Sequence, residues 1–332
     1  CADGVGEAAR FAQPSGIAAG PGGLLYVGDA CNNRIAVGVP LAESCRRVPQ
    51  AVGAPVWPAG PTEDGAREDV PYAWEVYVGC PGRSGTDDGL GGAARLTGPQ
   101  ALALGADGEL RVVDGGANAL RRVRPDGRVE TVALRGAALR APVALAVGRD
   151  GACTVSSGLH ALAVVAADGG VRALAGDAGR KGCADGQGEA ARFDYIASVA
   201  LDASGCAVVA DGNNHTLRRV RSDGTVTTLA GRAGQEGCVD GQGEAARLSR
   251  PTAVVCAPDG SFYVACGDRI RRVTTAGAVT TLDAGVLFGR LDGLAVDPAG
   301  TLYAADRGRH ELWRLTPGER AVKLAGSEQV MG

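Results

Sequence analysis

Six copies of one residue pattern run along this chain, and repeats of this length must stack on one another to fold. Residues 183–231 read CADGQGEAARF, then VALDASGCAVVADGNNHTLRRV, then RSDGTVTTLAG. Residues 238–284 keep the order as CVDGQGEAARL, AVVCAPDGSFYVACGDRIRRV and TTAGAVTTLDA. The opening residues give CADGVGEAARF and IAAGPGGLLYVGDACNNRIAV, and 87–134 give DDGLGGAARL, ALALGADGELRVVDGGANALRRV and RPDGRVETVAL. Two degenerate copies follow, VALAVGRDGACTVSSGLHALAVV near 143–165 and LAVDPAGTLYAADRGRHELWRL near 294–315.

Each copy reads as a four-stranded antiparallel meander with strands a to d. In the fourth copy, short apolar runs predict strands over 198–201, 206–210, 216–220 and 225–230. Turns rich in Asp, Asn and Gly separate them, because Gly and Asn accept the positive φ that tight hairpins need. Such a unit cannot bury both faces alone. The residues that close strand b are Asp29, Asp114, Ser157, Asp211, Cys266 and Asp306. Six such units in a row predict an all-β chain, a six-bladed β-propeller of four-stranded antiparallel blades. The long first interval holds a Pro-rich stretch, 39–72, which reads as an insert between strands c and d of blade 1.

The motif that carries Asp211, Asn214, His215, Leu217, Arg218, Arg219 and Val220, closed by Leu229-Ala230-Gly231, resembles the NHL repeat. The resemblance covers nearly the whole chain. It implies a single NHL-type propeller domain over 1–332. It leaves activity open, because one fold hosts many functions. Blades 3 and 5 depart from the motif, with Ser157 and Cys266 at the Asp position and shortened turns after them. The chain begins at Cys1, inside a connector motif, and is read as a piece of a larger polypeptide.

Alternating strand direction puts the b–c turns and d–a connectors on one face and the a–b and c–d turns on the other. The first face is the expected partner-binding face, with Asp29, Asn32, Asn33, Asp114, Asn118, Asp211, Asn214, His215, Asp306 and His310. Trp57, amid the prolines of the insert, is a second expected contact. The connector pairs Asp3-Gly4, Asp88-Gly89, Asp185-Gly186 and Asp240-Gly241 lack the alternating carboxylates of a calcium loop and read as Asx turns. His160, His215 and His310 are the three histidines, and all follow strand b. The resemblance also admits a lyase reading, in which central histidines of a six-bladed propeller hold zinc. Against it, these histidines lie in turns of unevenly spaced blades, and zinc needs converging side chains. No cofactor is expected. The chain has no Gly-x-Ser-x-Gly elbow, HExxH motif or Walker loop.

The Arg pairs 121–122, 218–219 and 271–272 lie on strand c, where alternation sends one Arg of each pair into a blade interface. That removes a continuous basic stripe. A net charge of −3 and an aromatic share of 4% also argue against nucleic-acid binding. No run of about 18 apolar residues predicts a membrane-spanning helix. Ten cysteines, mostly in loops, suggest disulfides in a secreted or surface protein, with Cys31–Cys80 and Cys238–Cys266 as same-face pairs. Asn214-His215-Thr216 is a glycosylation sequon.

The residues therefore predict a non-catalytic interaction or structural module of an extracellular or cell-surface assembly. Its partners would be other proteins or other domains of the same polypeptide. The alternatives are a metal-dependent propeller lyase or hydrolase, and an intracellular scaffold of cytoskeletal or ciliary type.

Overall fold

A computed structural model describes residues 3–41, 71–316 and 318–326. The insert 42–70, with Trp57 and Cys45, lies outside the described residues, as does Cys1. Six antiparallel sheets follow one another along the chain, each a meander whose first strand is innermost. In blade 4 the strands are Ile196–Leu201, Ala207–Asp211, Thr216–Val220 and Thr225–Gly231, within two residues of the expected bounds. The expected insert is trimmed at its ends, because strand c of blade 1 continues to Pro40 and strand d starts at Tyr72.

Four blades gain a fifth strand that the repeats did not announce. Two residues of each connector pair with the outer edge of strand d: Gly4–Val5, Gly89–Leu90, Gly186–Gln187 and Gly241–Gln242. A short 3-10 turn follows each, for example Gly188–Ala190. The strand and turn cover part of the exposed outer edge of the blade, which would otherwise present unpaired backbone groups.

The core is divided among the junctions between blades, with one apolar cluster at each. The residue that ends each connector fills its junction: Phe11, Leu96, Leu139, Phe193, Leu248 and Phe288 are all buried. Burying such a side chain stabilises by about 1.5–3 kcal/mol. The sixth junction closes the ring without exchanging a strand. There, Tyr72 and Trp74 of blade 1 share a cluster with Tyr303, Leu312 and Leu324 of blade 6. Lys323 reaches Glu7 at 3.3 Å across this seam. A Cβ on Gly293 would collide with the Ser15 carbonyl, so glycine is required where these two inner strands meet.

A repeated hydrogen bond clasps one blade to the next. After each long b–c turn the chain passes through a left-handed residue: Asn33, Asn118, His215 and His310 have φ of 54°, 51°, 58° and 60°. Asn33 Oδ1 accepts from the Gly98 N–H at 3.1 Å, and Asn118 Oδ1 from the Ala141 N–H at 2.8 Å. The imidazoles serve alike. His160, His215 and His310 accept through Nδ1 from the N–H groups of Tyr195, Arg250 and Gln13 at 3.4, 3.1 and 3.0 Å. Replacing His215 by Ala strands the Arg250 N–H, and should cost about 1–2 kcal/mol in chemical denaturation. His215→Asn keeps an acceptor and suits the left-handed backbone, so it should stay within about 0.5 kcal/mol of wild type. Equal losses in the two variants would refute the clasp.

Candidate functional site

Most of the expected partner-face residues hold the scaffold. Asp29, Asp114, Asp211 and Asp306 are fully buried at the ends of their strands. Each accepts a backbone N–H from the incoming connector: Ala12, Thr97, Asp194 and Gly289, at 2.7–2.8 Å. Asn32 and Asn214 donate to Asp29 and Asp211, each at 2.8 Å. Asp29, Asp114 and Asp211 face a guanidinium, and Asp306 is held by backbone N–H groups. Arg34, Arg121, Arg218 and Arg271 are the largest fully buried side chains, as alternation on strand c requires. Arg218 joins Asp211 at 3.0 Å to the connector Asp185 at 2.6 Å and lies over the Phe193 ring. Arg34 and Arg121 bridge Asp29 to Asp3 and Asp114 to Asp88 in the same way. The connector Asp-Gly pairs thus have a purpose beyond turning the chain. Burial pushes the Asp114 carboxyl up, and pushes Asp211 up to about 6, against the pull of Asn214, the Asp194 N–H and Arg218.

Two further expectations, the glycan on Asn214 and the same-face disulfides, are corrected by these contacts. The sequon side chain of Asn214 is buried, and its Nδ2 donates to the Gly182 carbonyl at 2.6 Å and to Asp211, so no glycan can be attached to the folded turn. Cys31, Cys80, Cys238 and Cys266 are free thiols. Cys266 sits in the junction between blades 4 and 5, where burial pushes its thiol up to about 12, and Cys238 accepts from Arg271 at 3.4 Å. The three histidines serve separate junctions. Among the described residues no three His, Cys, Asp or Glu side chains form a metal-binding set.

The site emerges where the repeat is broken. The six inner strands surround a central channel of about 370 Å³. Its end on the a–b face is apolar, rimmed by Ala19, Leu104, Val147, Leu201, Cys256 and Val296. Its other mouth opens among the b–c turns. There the second position of the inner strand, or in blade 3 its equivalent just before the strand, reads Ser15, Gln100, Val143, Ala197, Thr252 and Asp292 around the ring. Asp292 is the single carboxylate of the six. The turn residue in register with the mouth reads Ala30, Gly115, Gly158, Gly212, Gly267 and Arg307. Arg307 is the single long side chain of the six. These two departures meet: Arg307 Nη1 lies 2.9 Å from Asp292 Oδ2, and Arg290 Nε lies 2.9 Å from Oδ1. Arg307 also donates to Gln13 Oε1 at 2.6 Å, across the seam to blade 1. The carboxylate is 13% exposed and the Arg307 side chain 37%, so both reach the solvent of the mouth.

A family model for the NHL repeat matches residues 11–37, the first two strands of blade 1 and part of the third. The chain is a six-bladed β-propeller that carries an NHL repeat over residues 11–37. No curated protein matches its sequence. Among solved structures, this propeller is similar to virginiamycin B lyase from Staphylococcus aureus, crystallised as an inactive variant with quinupristin. That match has a TM-score of 0.57 at 16% identity, covering 99% of this chain and 90% of that one. It is similar to a putative gluconolactonase at a TM-score of 0.61 and 15% identity, covering 97% and 94%. An auxiliary nutrient binding protein from Bacteroides thetaiotaomicron gives 0.62 and 13%, covering 96% and 72%. At these identities the likeness is one of fold. Lyase- and gluconolactonase-type propellers span this chain almost end to end, and that overturns the expectation of a non-catalytic interaction module.

Proposed function

We propose that this propeller is a lyase- or hydrolase-type enzyme whose reaction takes place at the channel mouth between blades 6 and 1. The observation that carries the reading is the Asp292–Arg307 pair, a carboxylate and a guanidinium placed where the other blades carry neither. Positions that only build the scaffold repeat from blade to blade, whereas a site that handles one substrate breaks the symmetry. The likeness in fold to a lyase and to a putative gluconolactonase supports the same direction.

The chemistry follows from the geometry. Asp292 is held at both oxygens by Arg290 and Arg307, so its orientation is set before a substrate arrives. In a hydrolysis it takes a proton from the attacking water, and in an elimination from the carbon beside the breaking bond. Arg307 stands next to it as a fixed positive charge for the oxyanion that develops on the substrate. Gln100, exposed on the other side of the mouth, adds an amide donor and acceptor. The described residues hold no metal-binding set, and no step here runs through a metal.

The test is to incubate the purified propeller with gluconolactone and with quinupristin, following ring opening chromatographically. Turnover of either above the buffer rate is expected. Buffer rates for both would remove the reading.

A further inference from the structure

Building on that reading, we propose that the channel mouth takes an organic anion, a substrate whose carboxylate or phosphate group is gripped by Arg250 and Arg290 while its reacting bond lies over Asp292. Arg250 and Arg290 are the residues that immediately precede the inner strands of blades 5 and 6. Those strands are joined at the mouth, where Thr252 Oγ1 donates to the Leu291 carbonyl at 2.6 Å. The two arginines therefore stand on adjacent strand ends, with Arg307 rising from the turn behind.

The charges around them do not balance. Asp292 is shared by Arg290 and Arg307. Asp306 is buried and accepts from the backbone N–H groups of Gly289, Arg290 and Arg309. Asp268 pairs with Arg269, and Glu236 accepts from Ser249. The Arg250 side chain is exposed, with no carboxylate partner among the described residues. Arg290 and Arg307 thus share one carboxylate, and Arg250 on the neighbouring strand end has none. Adjacent guanidinium forks match the paired oxygens of a carboxylate or phosphate.

The backbone at this position repeats around the ring, and the side chain it carries is what differs. The residue before the inner strand is left-handed in four blades, Gln13, Gly98, Tyr195 and Arg250, as is Ala141 at the equivalent place in blade 3. Asn clasps the small ones, Gly98 and Ala141, while His clasps the large ones, Gln13, Tyr195 and Arg250. Arg250 has φ of 38°, a conformation that glycine would adopt freely. Tyr195 belongs to the same rim, with its ring 3.0 Å from where a Cβ on Gly212 would stand, and offers a flat face to the body of the substrate.

Titration calorimetry at fixed ionic strength tests this, with 6-phosphogluconate as the anionic probe and glucitol as the neutral one. Wild type should bind the anion at least about tenfold more tightly than the polyol. Arg250→Gln should lose about tenfold in affinity for the anion. Arg250→Gly should lose as much while melting no lower than wild type, because it relieves the backbone. Arg140→Gln, an exposed arginine of blade 3, should change nothing. Asp292→Asn should bind the anion at least as well as wild type, since it removes a negative charge. Equal affinity for the two probes, or unchanged binding in both Arg250 variants, would overturn the proposal. The two readings separate cleanly. Anion binding without turnover removes the enzyme and keeps the rim, and turnover without anion preference does the reverse.

Discussion

Arg218→Met is expected to destabilise the propeller by about 3–5 kcal/mol at pH 7, the typical loss when one partner of a buried ion pair is removed. The guanidinium is fully buried and holds Asp211, Asp185 and the carbonyls of Arg192 and Ala184 together. Methionine can fill much of the space over Phe193, so the loss comes from the stranded carboxylate and carbonyls rather than from a void. Asp211 then sets the pH dependence. Its folded carboxyl is already raised to about 6 by burial, above the ordinary 3.8. A raised carboxyl favours the fold below the unfolded value, and that contribution is lost as pH rises through the folded value. The deficit of Arg218→Met should therefore shrink as pH falls from 7 towards 5. Adding Asp211→Asn removes the stranded charge and should recover part of the loss at pH 7, by a cycle of denaturation midpoints. A deficit below 1 kcal/mol, or one independent of pH, would contradict the assigned role.

Asp292→Asn should leave stability nearly intact and lower kcat by about 10²–10⁴, the usual contribution of a positioned acid–base group. The amide keeps the shape of the side chain and can still accept from Arg290 or Arg307. It cannot take a proton at neutral pH. Asp292 is partly exposed and lies at the channel mouth, outside the apolar clusters of the junctions, so the fold has little to lose. The loss should appear in kcat more than in KM, since the amide still presents an oxygen to the mouth.

The blades were legible because they repeat. Phased glycines, the Asp that ends strand b and the Arg pairs of strand c recur at fixed intervals, and period-two alternation alone sends Arg218 inward and Arg219 outward. The clasps were not legible, since His215 and Arg250 are brought together by the stacking of blades 4 and 5, and nothing local pairs them. Asn214 shows the limit of a motif: its sequon is intact, yet the turn folds the amide inward onto Asp211. Asp292 and Arg307 escape any search for recurring residues because they are the exceptions. They become visible when the six inner strands are laid side by side, Ser15 against Gln100, Thr252 and Asp292, and when Arg307 is set against Ala30 and the four glycines at its position.

On the proposed reading, the symmetry-breaking pair Asp292 and Arg307 performs the chemistry of the channel mouth. The most direct measurement is the turnover of gluconolactone and quinupristin by wild type and Asp292→Asn side by side, with both proteins confirmed folded by their melting curves. Wild type should open the ring, and the variant should do so at a rate at least about a hundredfold lower. Equal rates in two folded proteins would contradict that reading.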